Sequence, residues 1–156
     1  MLERSPCFEY QSTIVLRSYR NSMMINPLSI MSTFVVMDGD GSAIPIPVND
    51  TFFEDLKYQF GDFKGKHLIS HFAFDKDWDI WEMHPAGDEL VCLLSGQVDF
   101  VLEQGAEETV EETKVQMKIP GEFVIVPKGI WHTANVHRPS SMLFITPGAG
   151  TQHRPI

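Results

Sequence analysis

The chain has 156 residues, of which 43% are hydrophobic and 21% are charged, and its formal net charge is −9. That length suits one domain with a real core better than two. The negative charge disfavours phosphate backbones and anionic membrane surfaces as partners, because both attract clustered Lys and Arg. We therefore expect no nucleic-acid partner and no membrane partner.

The sequence lacks an apolar run long enough for a membrane span and an apolar core typical of a signal peptide. These features predict a cytoplasmic protein. Cys7 and Cys92 are far apart in the chain. In a protein of this kind we expect them to be free thiols and not a disulfide.

Residues 1–30 carry scattered Ser, Arg and Met with little periodicity, which predicts an N-terminal extension. Two interpretations stay open: a poorly ordered segment, or an extra strand added to a sheet edge or to a partner subunit. Residues 31–156 are predicted to form the folded domain, with a first strand in the STFVVM stretch. The Ile44-Pro45-Ile46-Pro47 segment must be extended, because each proline moves the residue before it out of the helical region.

One short helix is predicted near residues 52–60. Thr51 and Glu54 have the spacing of a capping box, and Leu56, Phe60 and Phe63 follow with helical spacing. It is expected to be the one regular helix of the chain.

From His67 onward the pattern changes to eight short apolar or alternating runs, which are separated by Gly, Pro, Asp and Ser. This pattern predicts an all-β sandwich or barrel. Gly96 is expected to form a hairpin turn, and glutamates 103, 107, 108, 111 and 112 are expected to be a solvated cluster. The runs lie at 67–74, 79–84, 89–95, 97–103, 110–119, 122–126, 131–136 and 142–146.

The WEMHPAGDE stretch places acidic residues and an imidazole close together. On a strand, Glu82 and His84 share a face, and their Cα atoms would be about 6–7 Å apart, so that both can reach one ion. Pro85 and Gly87 would break the strand and let the next one start with Glu89 facing inward. Taken alone, a histidine such as His84 is more often part of a turn than a ligand, and a Gly-Asp-Glu stretch is more often a solvated loop. Asp88 is expected to face the solvent.

A second stretch, PGEFVIVPKGIWHTAN, carries His132 near the start of a strand. Together the two stretches resemble the two motifs of the cupin superfamily. The first motif is written as Gly, five residues, His-x-His, three or four residues, Glu, six residues, Gly. His84, Glu89 and Gly96 match its later part. The second is Gly, five residues, Pro-x-Gly, two residues, His, three residues, Asn, and Gly121 to His132 match it.

Three positions depart from these motifs. Glu82 replaces the first histidine of the His-x-His pair, Lys76 stands where a glycine is expected, and Asn135 comes one residue early. The resemblance implies a double-stranded β-helix barrel, jelly-roll-like, preceded by the one short helix, with motif one at 82–96 and motif two at 121–135. It also implies a homodimer, in which the partner is a second copy of the chain, since many cupins form dimers.

The resemblance further implies that His84, Glu89 and His132 bind a metal ion inside the barrel. Glu82 would be a fourth ligand or a catalytic base. Such a mixed N/O set suits Fe, Mn, Ni or Zn as a divalent ion. Without Glu82 the set is two histidines and one carboxylate, as in non-haem iron oxygenases.

Around this site the interior is expected to be apolar and aromatic, with Phe100 and Phe144 near the substrate pocket. His71 is a further pocket residue or, alternatively, a hydrogen-bonded core or edge histidine. His67, His137 and His153 are interpreted as surface residues, and the three tryptophans as packing outside the barrel. The predicted interior comprises Phe72, Phe74, Ile80, Val91, Leu93, Phe100, Val124 and Phe144.

These features favour a metal-dependent enzyme acting on a small polar organic molecule, as a dioxygenase, decarboxylase or isomerase. The alternative is a module that binds or senses a metabolite without turnover. Metal-free isomerase chemistry is less favoured, because the three tyrosines at 10, 19 and 58 all precede the motifs.

Overall fold

The computed structural model describes residues 26–105 and 111–156, which form nine strands and one helix. The predicted extension at residues 1–30 therefore lies almost wholly outside the described residues, as does Cys7. The strands are β1 (Thr33–Met37), β2 (Ala43–Pro47), β3 (His67–Phe74), β4 (Ile80–Met83), β5 (Glu89–Gln104), β6 (Glu111–Met117), β7 (Phe123–Val126), β8 (His132–Thr146) and β9 (Gln152–Pro155), and the helix is α1 (Phe52–Phe60). None of the described helices is long and apolar enough to cross a membrane.

Two long antiparallel strands, β5 and β8, form the centre of the barrel and pair along most of their length. The first half of β5 also pairs with β7 and its second half with β6. In the same way, β8 begins beside β4 and ends beside β3. Because each long strand changes neighbours halfway, the sheet wraps around on itself. The predicted all-β, jelly-roll-like barrel is confirmed.

The predicted hairpin at Gly96 is wrong. The runs at 89–95 and 97–103 form one strand, β5, whose register with β8 shifts between Leu93 and Val98. A bulge with a glycine at positive φ can bend a strand without reversing it. Pro139 lies opposite this break and has no Cα partner in β5. For the same reason the separate runs at 131–136 and 142–146 are one strand.

The predicted helix is confirmed at Phe52–Phe60 with Thr51 as its N-cap residue, but the capping box does not form. The Thr51 hydroxyl donates to the Asp55 carboxylate, and the backbone N–H of Thr51 donates to the Asn49 side chain. Phe52 is buried against Phe34 of β1. The helix is thereby held against the outer end of the sheet, beside the cavity described below.

Strand β9 was not predicted, because its sequence, QHRP, is polar and has no apolar alternation. It pairs antiparallel with β4 along four residues. The C-terminal segment therefore extends the sheet next to motif one.

The barrel core is built from alternate residues of β5, β7 and β8, as the sequence predicted. Val91, Leu93 and Phe100 are fully buried, and Phe72 and Phe74 pack against the same cluster. Trp78 corrects the expectation that all three tryptophans lie outside. Its ring contacts Phe100 and Phe144 of the barrel core, although the neighbouring residues Asp77 and Asp79 are exposed.

Candidate metal centre

The structure brings His84, Glu89 and His132 together in the barrel interior. His84 follows the end of β4, Glu89 opens β5 and His132 opens β8. All three are buried, with at most 3% of each residue exposed. Glu89 Oε2 lies 3.4 Å from His84 Nε2 and 3.2 Å from His132 Nε2.

The turn between His84 and Glu89 resets the strand phase, as the sequence predicted. Glu89, Val91 and Leu93 are all buried, so they share the inward face of β5. Asp88 is exposed, and its carboxylate accepts a hydrogen bond from the backbone N–H of Lys128. That bond ties the turn of motif one to the Pro-Lys-Gly turn of motif two.

The hydrogen bonds at each Nδ1 atom define the tautomers of both imidazoles. His132 Nδ1 lies 3.2 Å from the carbonyl oxygen of Ile130, which can only accept. His84 Nδ1 lies 2.9 Å from the Thr151 hydroxyl, whose own proton is donated to the carbonyl of Gly148. Both Nδ1 atoms therefore carry a proton, so that in its neutral form each ring directs the lone pair of Nε2 toward Glu89.

Glu89 is held in the same way, because the Thr146 hydroxyl donates to its Oε1 atom. Its other oxygen, Oε2, is buried without a hydrogen-bond partner, as are Nε2 of His84 and Nε2 of His132. Three lone-pair atoms thus face one another in the buried interior of the barrel. Unpartnered buried polar atoms are costly, so this arrangement calls for a proton or a cation among them.

Electrostatics keeps the carboxylate charged. Burial by itself would raise the pKa of Glu89, but contact with His132 and His84 lowers this pKa to about 2. Burial would also lower the pKa of His84, whereas the neighbouring Glu89 and Glu82 carboxylates raise it, and the net shift is upward from 6.5. The site is therefore a negative centre that attracts a cation.

Glu82 completes the group. One ligand atom each from Glu82, His84 and His132 lies within 4.8 Å of the other two. Glu82 is the Cα partner of His132 in β8 and, on its other side, of His153 in β9. Its Oε1 atom lies 3.9 Å from His84 Nε2 and 3.1 Å from His153 Nε2.

A cavity of about 950 Å³ lies beside these residues. Its polar lining includes Glu82, Glu89, Thr146, Thr151 and His153 near the metal centre, and charged residues such as Asp75, Lys76 and Asp77 farther along the wall. Its apolar side includes Phe72, Phe74, Trp78 and Phe144 from the barrel, with Phe53 and Leu56 from α1.

Two of the predicted pocket residues are not in the cavity wall. His71 is on the opposite face of β3 from the buried Leu68 and Ser70, and it hydrogen-bonds to the Ser141 hydroxyl at 2.6 Å. The structure therefore corrects its pocket placement and agrees with the alternative of a hydrogen-bonded histidine outside the pocket. Phe100 is fully buried and stacks on His132 at a centroid distance of 5.5 Å, beneath the site. Phe144 does line the cavity.

Sequence reasoning missed Thr146, Thr151 and His153. Thr146 could have been found, because it follows the inward-facing Phe144 by two residues and so shares its face. His153 was interpreted as a surface residue. Its side chain is indeed 53% exposed, but it also contacts Glu82. This contact depends on the pairing of β9 with β4, for which the sequence carries no apolar signal.

No family model matches the chain, and no curated protein matches it. Solved structures, in contrast, do match the chain. A hydroquinone 1,2-dioxygenase from Sphingomonas sp. TTNP3 aligns at 17% identity over 51% of this chain and 58% of its own, with a TM-score of 0.44. An oxalate oxidase aligns at 13% identity over 55% of this chain and 44% of its own, with a TM-score of 0.46. A cupin superfamily protein from Desulfitobacterium hafniense DCB-2 aligns at 25% identity over 51% of this chain and 65% of its own, with a TM-score of 0.41.

In each of these alignments the chain spans less than two thirds of the solved protein. Likenesses at this level carry no argument about substrate or reaction, since one fold hosts many activities. The wrapped strand order and the meeting of the two motifs at His84, Glu89 and His132 come from this structure itself. Together they give the chain a cupin fold.

Proposed function

We propose that this chain is a metal-dependent enzyme that acts on a small organic molecule in the cavity beside His84, Glu89 and His132. One observation carries the proposal: three buried lone-pair atoms, two imidazole Nε2 and one carboxylate Oε2, face one another without a hydrogen-bond partner. A divalent cation would satisfy all three atoms at once. Two nitrogens with one or two carboxylates suit Fe, Mn, Ni or Zn.

The surrounding hydrogen bonds fit this assignment. Ile130 and Thr151 hold the two histidines in the tautomer that offers Nε2, and Thr146 holds Glu89. Such outer partners orient metal ligands in known sites. A bound ion would supply Lewis acidity or activate oxygen. Glu82 is close enough either to bind it or to move a proton at the substrate as a base.

The cavity wall refines the substrate class. The rings of Phe72, Phe74, Trp78 and Phe144 pack in a contiguous wall with neighbouring centroids 5.3–6.4 Å apart. We propose a substrate with a polar group at the metal and a flat apolar part against these rings. The indole N–H of Trp78 is buried without a partner, and an acceptor on the substrate would satisfy it.

The metal proposal is tested by elemental analysis of protein purified without chelators, comparing wild type with His132→Ala and His137→Ala. His137 is on the same strand but is 44% exposed at its side chain and contacts only Asp99 among the recorded ion pairs of the described residues. We expect one divalent ion per chain in wild type and in His137→Ala, and none in His132→Ala. Retention of the metal by His132→Ala would refute the assignment.

The substrate class is tested with benzoate and cyclohexanecarboxylate, which share a carboxylate and differ in ring flatness. We expect metal-loaded protein to bind benzoate more tightly, with a change in Trp78 fluorescence that is absent in Trp78→Phe. Equal binding of both acids would refute the preference for a flat ring.

The second candidate is a sensing module that binds a metabolite without turnover, and the cavity of about 950 Å³ with its aromatic lining is the observation that favours it. A thermal-shift screen with Fe, Mn, Ni and Zn and with metabolites separates the two, because a ligand of the folded state raises the melting temperature. Stabilisation by metal supports the enzyme proposal. Stabilisation by a metabolite alone supports sensing.

The cytoplasmic location and the homodimer remain proposals. Ile119, Phe123 and Ile125 are each more than half exposed, and two of them alternate along β7. An apolar surface of this kind is a reasonable dimer contact. Sedimentation of wild type and Phe123→Lys would test it, with a monomeric variant as the expected result and an unchanged mass as the contrary one.

A further inference from the structure

Strand β9 brings a third histidine to the metal centre. The Cα register places Glu82 between His132 on one side and His153 on the other. Residues directly opposite one another in an antiparallel pair point to the same face of the sheet. The three side chains therefore form a row across β8, β4 and β9 on the cavity side, and Glu82 is its middle member.

The neighbouring row explains why His153 must face the cavity. Arg154 is opposite Trp81, and its guanidinium lies over the Trp81 ring at 5.3 Å and over the Trp131 ring at 4.5 Å. The same guanidinium bonds to the Glu103 carboxylate. These contacts hold Arg154 on the outer face. Because adjacent residues of a strand alternate, His153 is thereby directed to the inner face.

One oxygen of Glu82 is shared between a buried and an exposed imidazole. Oε1 lies 3.1 Å from His153 Nε2, which is hydrogen-bonding distance, and 3.9 Å from His84 Nε2. The Glu82 side chain is 23% exposed, and the structure records no other hydrogen-bond partner for it among the described residues. Without His153, that carboxylate would have no fixed direction at the edge of the cavity.

We propose that His153 is a positioning residue that holds the Glu82 carboxylate toward the metal centre, so that the C-terminal strand completes the site. This inference rests on the proposed function, since it assumes that His84, Glu89 and His132 bind a metal. It explains how a chain with glutamate in place of the first motif histidine keeps an ordered group at that position. Loss of such an outer partner typically weakens metal binding about 10–100-fold.

The test uses Co²⁺ as the probe metal, with titration of the metal-free protein followed by its visible absorption spectrum. His153→Ala is expected to bind Co²⁺ about 10–100-fold more weakly and to change the spectrum. His153→Gln keeps an N–H donor and is expected to recover part of the loss. His137→Ala, an exposed histidine paired with Asp99, is the matched control and is expected to behave as wild type.

A double-mutant cycle separates positioning from direct ligation. If His153 acts through Glu82, His153→Ala has no further effect on Co²⁺ affinity in a Glu82→Ala background. A full additional loss there would overturn the proposal in favour of direct binding by His153. Unchanged affinity and spectrum in His153→Ala, with Co²⁺ bound by wild type, would overturn it as well. Failure of wild type to bind Co²⁺ or any other divalent ion would refute the proposed function itself, and this inference with it.

Discussion

Gly96 and Gly121, glycines of the two motifs, offer a matched test of how the barrel is bent. Both have nearly the same backbone angle, with φ of +94° and +95°. An added Cβ at Gly96 would lie 2.2 Å from Ser140 Oγ and 2.5 Å from the carbonyl oxygen of Pro139. An added Cβ at Gly121 would have no heavy atom within 4 Å. Alanine therefore tests backbone strain alone at Gly121, and strain plus steric conflict at Gly96.

The magnitudes follow from these contacts. A non-glycine residue at positive φ costs about 1–2 kcal/mol, so Gly121→Ala should lower the free energy of unfolding by about that amount. Gly96→Ala adds a clash with backbone atoms, for which overpacking typically costs about 1–3 kcal/mol. It also displaces the Ser140 hydroxyl, which accepts the N–H of Gln97 at 3.0 Å, and such a hydrogen bond is worth about 1 kcal/mol. We expect a total loss of about 3–6 kcal/mol.

Urea unfolding followed by tryptophan fluorescence measures both variants against wild type. Gly96→Ala should be less stable than Gly121→Ala by at least about 2 kcal/mol. Equal losses in the free energy of unfolding would show that a side chain fits at position 96. The bulge would then not require glycine at this position. A third variant, Gly96→Ala with Ser140→Ala, should recover part of the difference, since it removes the nearest atom.

Three further predictions follow from individual contacts. Glu122 accepts the backbone N–H groups of Ile119 and Lys118, which lower its pKa. Because the pKa of Glu122 is lower in the folded state, its ionised carboxylate stabilises the fold at pH values above 4.5. This stabilisation is lost as the pH falls below that value. The difference in urea midpoint between wild type and Glu122→Gln should therefore shrink on acidification, and a constant difference would contradict this cause. His84 has a raised pKa in the metal-free protein, so a proton competes with the metal at low pH. Metal affinity should fall as the pH falls, and titration calorimetry in two buffers of different ionisation enthalpy should show proton release; identical heats would argue against it. Finally, Arg154→Ala removes two cation–π contacts worth about 0.5–1 kcal/mol each. Amide exchange should speed up in β9 more than in β3, whereas uniform exchange would refute an anchoring role.

Much of the fold could be predicted from local patterns. Short alternating runs indicated an all-β barrel, and the capped apolar spacing indicated the helix at Phe52–Phe60. The predictions failed where a strand continues through residues that usually end one. Gly96 and Pro139 both suggested turns, but they lie opposite each other at a register shift between β5 and β8. That pairing is a long-range contact, and no local pattern reveals it.

The resemblance of two sequence stretches to the cupin motifs selected His84, Glu89 and His132, and for Glu89 the turn after His84 also indicated an inward-facing side chain. What only the tertiary structure decided is how those atoms are oriented and what surrounds Glu82. The Nδ1 partners of the histidines lie on remote or irregular segments, at Thr151 and Ile130. The partner of Glu82 comes from β9, a polar strand whose position depends on Arg154 and two tryptophans. Spacing along one strand determines which face a side chain occupies, whereas its partner is determined by which distant strand packs beside it.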